Sequence, residues 1–118
     1  MRIFKLSLAT LLVVLIATGV LLYKGDLSTE YVDNKYSDAA SEFLTMENGA
    51  RVHYRDQGAK INPAIVLVHG SNASLHTWEP WVERLSANYR VVSLDLPAHG
   101  LTGATPDHDY SSQAQINT

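Results

Sequence analysis

The 118-residue sequence contains no cysteine, so it can form no disulfide and offers no thiolate as nucleophile or metal ligand. It has no excess of positive charge either. Nine Lys and Arg stand against twelve Asp and Glu, for a formal net charge of -3, and nothing in that balance would draw the chain to nucleic acid. Charged residues make up 18% and hydrophobic ones 46%, as in an ordinary globular protein. A chain this short buries one modest core, and residues spent on an anchor or linker leave less for it.

Charge is absent from one long segment. Between Lys5 and Lys24 no charged residue occurs, and Leu6 to Tyr23 is apolar apart from Ser7, Thr10, Thr18 and Gly19. Eighteen helical residues at about 1.5 Å each span roughly 27 Å, close to the bilayer hydrocarbon thickness of about 30 Å. A transmembrane helix is expected there, and the all-round apolarity, without a polar stripe, speaks against a buried soluble helix. Arg2 and Lys5 precede the run, whereas only Lys24 follows before Asp26 and Glu30. The positive-inside bias then places Met1 in the cytoplasm and all after Tyr23 outside, periplasmic or at the cell surface. The rival reading is a cleaved signal peptide. Four more apolar residues, Val20 to Tyr23, follow the small triplet Ala17, Thr18, Gly19, which favours an anchor. The chain divides into a basic cytoplasmic tail (1–5), a transmembrane signal anchor (6–23), a linker arm (24–40) and a truncated folded domain (41–118).

In the arm, Leu27, Tyr31 and Val32 have the spacing of a short, weakly amphipathic helix, and Asp26, Glu30, Asp33 and Asp38 read as a solvated face. Strand patterns begin at Ser41. Phe43–Glu47 and Ala50–Arg55 flank Asn48-Gly49, which favours a two-residue type I′ hairpin turn. Val52 and Tyr54 share one face of the second strand, opposite Arg51, His53 and Arg55, and His53 is expected on the surface. Ala64–Val68 is an unbroken, β-branched apolar run, the pattern of a strand buried on both faces. Trp78, Trp81, Val82 and Leu85 then fall at i, i+3, i+4 and i+7 of a helix with Thr77 as N-cap and Pro80 in its first turn. Val91–Leu94 completes a parallel βαβ unit.

Ligands of open α/β sheets bind beyond the carboxyl ends of strands, which selects the loops His69 to Leu75 and Leu96 to Asp109. The stretches Val66-Leu67-Val68-His69-Gly70-Ser71-Asn72-Ala73 and Asp95-Leu96-Pro97-Ala98-His99-Gly100, with Val52-His53-Tyr54-Arg55-Asp56-Gln57-Gly58 before them, resemble the start of the α/β-hydrolase fold. The resemblance covers Ser41 to the end. It implies an α/β fold built as a hairpin followed by a βαβ unit, the N-terminal part of a hydrolase sheet preceded by the transmembrane helix.

It further implies that the residue after His-Gly, here Ser71, gives one backbone N–H to an oxyanion hole, with Asn72 beside it. His69, Gly70, Asp95, His99 and Gly100 would position the loops. Such a donor stabilises the charge that develops on oxygen in a tetrahedral acyl intermediate, and losing it costs roughly 2.7 to 4 kcal/mol. Gly70 is expected to let the backbone turn and approach closely. The second donor would follow a nucleophile that the chain lacks, as it lacks the acid and base, and the chain alone is expected to be inactive. By the same topology the edge of Ile65–Val68 lies bare and apolar, so poor solubility and marginal folding are expected in isolation.

Other readings are weaker. Ser71 as nucleophile fails because Gly70 and Asn72 do not fit G-x-S-x-G. Metal ligation by Asp95 and His99, with Asp107, His108 and Asp109 downstream, fails because Pro97 breaks the helical spacing, and no metal or cofactor is expected. A nucleotide-binding module lacks the second glycine of G-x-G-x-x-G. A noncatalytic, membrane-displayed interaction protein remains an alternative. Ala98 stands where the family has glycine. Asn72 stands where epoxide hydrolases and dehalogenases have proline, which favours an ester-hydrolysing branch with a small ester-like substrate. The expected partners are that substrate and the lipid bilayer.

Overall fold

The computed structural model describes residues 2–116, with side chains from residue 9 onward. Nine elements follow in order: α1 (Arg2–Leu22), α2 (Thr29–Tyr36), β1 (Ser41–Thr45), β2 (Arg51–Gln57), β3 (Ala64–Val68), a 3-10 turn (Leu75–Trp78), α3 (Glu79–Leu85), β4 (Arg90–Leu94) and α4 (Ser112–Ile116). The four strands form one mixed sheet in the order β1-β2-β4-β3. β1–β2 and β2–β4 are antiparallel, and β3–β4 is parallel across the helical crossover.

α1 is continuous, and its apolar side chains from Leu11 to Leu22 are exposed. Among the described residues no helix is long and apolar enough to cross a membrane. The expected span over 6–23 is therefore not supported by them. Met1 and the side chains of the expected basic tail lie outside the described residues.

The strands form where β-branched runs predict them, but three local expectations change. The hairpin turn is not type I′, which needs positive φ at two central residues. Only Gly49 is left-handed (φ 80°), and Gly49 N–H donates to Met46 O while Met46 N–H donates to Ala50 O. That is a three-residue loop with glycine in the bulge position, and the Asn48 side chain accepts from Ala50 N–H at 2.9 Å. Thr77 lies inside the 3-10 turn, so Trp78 stands at the N-cap of α3 and makes no side-chain cap bond, with Pro80 in the first turn where no intrahelical donor is lost. On α3 it is Val82 that packs inward, while Trp81 is 60% exposed.

The burial of the sheet also departs from the simple pattern. β3 is an edge strand, and Val66 (60%) and Val68 (49%) lie open because nothing described covers that face. On β2 the polar face turns inward. His53 and Arg55 are buried and Val52 and Tyr54 only half so, because the arm and the loop after β4 cover the His53 side. The arm is latched there. Arg51 pairs with Asp33 at 2.6 Å and Arg55 with Asp38 at 3.0 Å, so these two acids are counterions for β2 and not a free solvated face. The apolar core is small, comprising Ala50, Leu75, Val82, Val91 and Leu101.

β2 and β4 are clamped at their outer end. Arg90 Nε and its terminal nitrogen donate to both oxygens of Asp56 at 2.6 to 3.2 Å, and Lys60 pairs with the same carboxylate. The Arg90 hydrogen bonds, opposed by burial and assisted by Lys60, lower the Asp56 pKa to about 2. An unfolded aspartate titrates near about 3.9, so this stabilisation is complete above roughly pH 4 and is lost as pH falls through the folded value. In urea unfolding followed from about pH 5 to 2, Asp56→Asn should flatten the acid decline of stability. An unchanged slope would mean the clamp contributes nothing.

Candidate active site

The register of three strands places three polar residues side by side. Val68 pairs with Leu94 and Leu94 with Tyr54, so the next residues at that end of the sheet are His69, Asp95 and His53. Asp95 N–H donates to His53 O at 2.9 Å, which fixes the row. All three side chains are buried, with Asp95 and His53 at 0% exposure.

Asp95 is the hub. Its Oδ2 accepts from His53 Nδ1 at 2.7 Å and from Leu101 N–H at 2.9 Å, and its Oδ1 accepts from Leu75 N–H at 2.7 Å. Burial alone would raise its pKa. The hydrogen bonds from His53, Leu75 and Leu101 outweigh burial and hold it below the usual carboxylate value. Leu75 ends the first loop and Leu101 lies in the second, so one carboxylate joins both. Thr102 adds a relay: its hydroxyl accepts His53 N–H at 2.9 Å and donates to Asp95 O at 2.7 Å.

His69 pins the start of the first loop. Leu96 N–H can only donate and Gly70 O can only accept, so Nε2 (3.0 Å from Leu96 N) is unprotonated and Nδ1 (2.7 Å from Gly70 O) carries the proton. The imidazole is neutral. Its 3.8 Å approach to Asp95 is therefore no ion pair. The His99 ring lies 5.1 Å away, with Nδ1 2.9 Å from Pro97 O. Ser71 and Asn72 form the turn between the pinned ends and are exposed. Ser71 N–H has no hydrogen-bond partner among the described residues.

The left-handed residue of this turn is Asn72 (φ 56°). Gly70 is not in that region, and a Cβ there would meet nothing within 4 Å, so the close approach expected of Gly70 is not made within the described residues. The close approach falls at Gly100 (φ 48°), where a Cβ would overlap the Asp95 carboxylate. Ala98 is left-handed as well (φ 64°), a conformation that costs an L-residue roughly 1–2 kcal/mol.

Two grooves lie between the arm and these loops. One of 390 Å³ is bordered by Leu27, Val32, Arg51 and Thr102. The other, of 270 Å³, is bordered by Val32, Tyr36, Ser74, His76 and Leu101, and so touches both loops. Glu79 beside it accepts from His76 at 2.7 Å and from the buried Arg55 at 2.9 Å, and these two contacts, His76 first, lower its pKa.

His53, Thr102 and the Leu75 amide escaped the sequence reading. The available signal was a histidine alternating with hydrophobic residues on a strand ahead of a strand ending in aspartate. Recognising it required the pairing of β2 with β4.

Comparisons with known proteins agree with this architecture. Residues 63–117 match the alpha/beta hydrolase fold family. The chain is 38% identical over 64 residues to the (E)-2-((N-methylformamido)methylene)succinate hydrolase of Acinetobacter baylyi, covering 54% of this chain and 24% of that protein. It is 35% identical over 54 residues to epoxide hydrolase 3 of Xenopus tropicalis, covering 46% and 15%. The crystal structure of the Cif epoxide hydrolase from Acinetobacter nosocomialis superposes with a TM-score of 0.62 at 27% identity, over 81% of this chain and 33% of that one. These similarities support an α/β-hydrolase fold superfamily member over part of its length. The chain spans about a quarter or less of the length of these two curated relatives.

Gly100→Ala should destabilise the fold by about 3 kcal/mol or more, since it combines a strained φ with displacement of a buried charge from its donors. Ala98→Gly should stabilise it by about 0.5–1 kcal/mol. Urea midpoints measure both, and a neutral Gly100→Ala would contradict the close contact with Asp95.

Proposed function

We propose that this chain supplies the oxyanion-loop portion of a hydrolase acting on ester or related acyl substrates. The observation that carries the reading is the Ser71 amide. It has no partner among the described residues, and Ser71 is exposed in a turn held at one end by His69 and at the other by the Leu75–Asp95 bond, beyond the carboxyl end of β3. A donor fixed in advance stabilises developing oxyanion charge without reorganisation during the reaction. Asn72 completes the turn, Gly70 leaves open space beside it, Asp95 joins the second loop to the first through the Leu101 and Leu75 amides, His99 lies against His69, and Gly100 leaves room for the carboxylate. The substrate occupies the groove where the two loops meet the arm.

An epoxide-opening branch is the second reading, favoured by the relatives named as epoxide hydrolases and by the Cif structure. Asn72 in place of the proline of that branch favours acyl substrates.

We further infer that residues 6–23 tether the protein to a membrane, with the domain from residue 41 outside the cytoplasm. The support is the uncharged run, the continuous α1 with exposed apolar side chains, and the charge bias of Arg2 and Lys5.

In a longer gene product carrying this segment, Ser71→Pro, which removes the N–H, should lower kcat by about 10²–10³, whereas Ser71→Ala should change it little. A fluorophosphonate probe should label that product and not the 118-residue chain. Labelling of the short chain would make Ser71 or another residue here a nucleophile. The tether predicts that the protein sediments with membranes and resists carbonate extraction, and that its N-terminal sequence starts ahead of residue 20. A start at Val20 or later would replace the anchor with a cleaved signal.

A further inference from the structure

His53 has no part in the proposed oxyanion chemistry, yet it is the most completely enclosed ionisable ring described. Its exposure is 0%, the Phe43 ring centroid lies 5.0 Å from its own, and its Nε2 is buried without a hydrogen-bond partner among the described residues. A polar ring sealed in this way is costly unless the contact it does make is worth keeping. That contact is the 2.7 Å bond from Nδ1 to Asp95 Oδ2. A carboxylate only accepts, so Nδ1 must carry the proton.

We propose that His53 is a positioning residue that sets the loop bearing Ser71, acting through Asp95. The path has two steps. The Nδ1–H fixes the rotation of the Asp95 carboxylate about its side-chain bond by occupying Oδ2. The same rotation presents Oδ1 to Leu75 N–H, which ends the His69–Leu75 loop, and leaves Oδ2 shared with Leu101 N–H of the second loop. Backbone bonds hold the relay from the other side, since His53 N–H goes to Thr102 and Asp95 N–H to His53 O. Without the ring proton, the two backbone amides alone cannot specify one rotamer of a buried charged group. The first loop then loses its C-terminal pin while retaining the His69 pin at its start.

The inference rests on the oxyanion-loop reading for its functional meaning, but its test involves no turnover. The 15N-labelled 118-residue chain is prepared in detergent micelles as wild type, His53→Leu, His53→Asn and Val91→Ala. His53→Leu keeps bulk and removes the donor; His53→Asn returns an N–H near the Nδ1 position. Val91→Ala weakens the core, in which Val91 is 1% exposed, without touching Asp95.

In His53→Leu, the Leu75 and Leu101 amides should lose roughly tenfold or more of their exchange protection, as removal of a donor to a charged group predicts. The Ser71 and Asn72 amide resonances should shift with them. His53→Asn should restore all four amides, and Val91→Ala should lower the melting temperature while leaving their resonances in place. The proposal is overturned if His53→Leu leaves these amides unmoved, if Val91→Ala moves them as far, or if His53→Asn fails to restore them. Should His53→Leu not fold, the wild-type ring decides: a slowly exchanging Nδ1 proton on His53 is required, and an unprotonated Nδ1 refutes the path. Failure of the hydrolase reading would show separately, as absent probe labelling of the longer product with the loop coupling intact.

Discussion

A carboxylate at zero exposure imposes conditions on everything around it. Removing the Asp95 charge from water costs several kcal/mol, and the structure holds together only if donors replace the lost hydration. Three donors do so, one from β2, one from the loop after β3 and one from the loop after β4. Each is obliged to be where it is because a missing one would leave buried charge short of a partner. The apolar core is too small to set the loops by packing alone. Of its five residues only Leu75 and Leu101 belong to the loops, and the amides of these same two residues bind Asp95. Burial of their side chains and satisfaction of the carboxylate therefore reinforce one geometry. Gly100 belongs to the same constraint, since any side chain there would occupy the carboxylate's place.

Much of this was legible in the sequence because it is written in local pattern. The apolar β-branched runs at Ala64–Val68 and Val91–Leu94, with an amphipathic helix between them, dictate a parallel pair, and the two loops follow from where those runs end. What stayed hidden depends on contacts between distant segments. His53 and Asp95 are 42 residues apart, and they meet only because β2 inserts beside β4, a pairing that no periodicity announces. Hydrophobicity assigned the wrong inner face to β2, since Val52 and Tyr54 look like core residues. The inner face is instead a polar one whose arginines find counterions on the arm and on α3, and whose histidine bonds to Asp95. The hairpin turn and the α3 cap were misread for a smaller reason: one residue more or less in a loop changes which backbone groups are left to satisfy, and Asn-Gly and Thr each suit more than one solution.

The arm illustrates how such polar contacts do more than decorate a surface. Exposed ion pairs contribute little, and Asp38 is half exposed, but its partner Arg55 is buried and bonded at the same time to Glu79 of α3. A buried guanidinium cannot easily release either acid, so the arm, β2 and α3 are held as one unit. In the membrane-tethered reading this latch has a geometric consequence. Six residues separate α1 from α2 and reach at most about 20 Å, so the grooves under α2 would stay close to the bilayer surface and not swing free on a linker.

A backbone amide responds to charge on an oxygen and is indifferent to the group attached to the carbon. In the proposed reading, a fixed Ser71 N–H would serve as an acyl-oxyanion contact whatever the group attached to the carbon. Discrimination between substrates must come from groups that feel shape and polarity. In this chain the described side chains at the junction of the loops are Val32 and Tyr36 from the arm and Ser74, His76 and Leu101 from the loops. If the proposed substrate lies there, the apolar ones would favour its hydrocarbon portion, and His76, tied to Glu79 and through it to Arg55, would set a polar limit on one side. In the proposed reading the division of labour would follow from the chemistry: the buried Asp95 network would supply a rigid, substrate-blind donor, and the arm, held by its own charges, would supply the wall against which substrates differ.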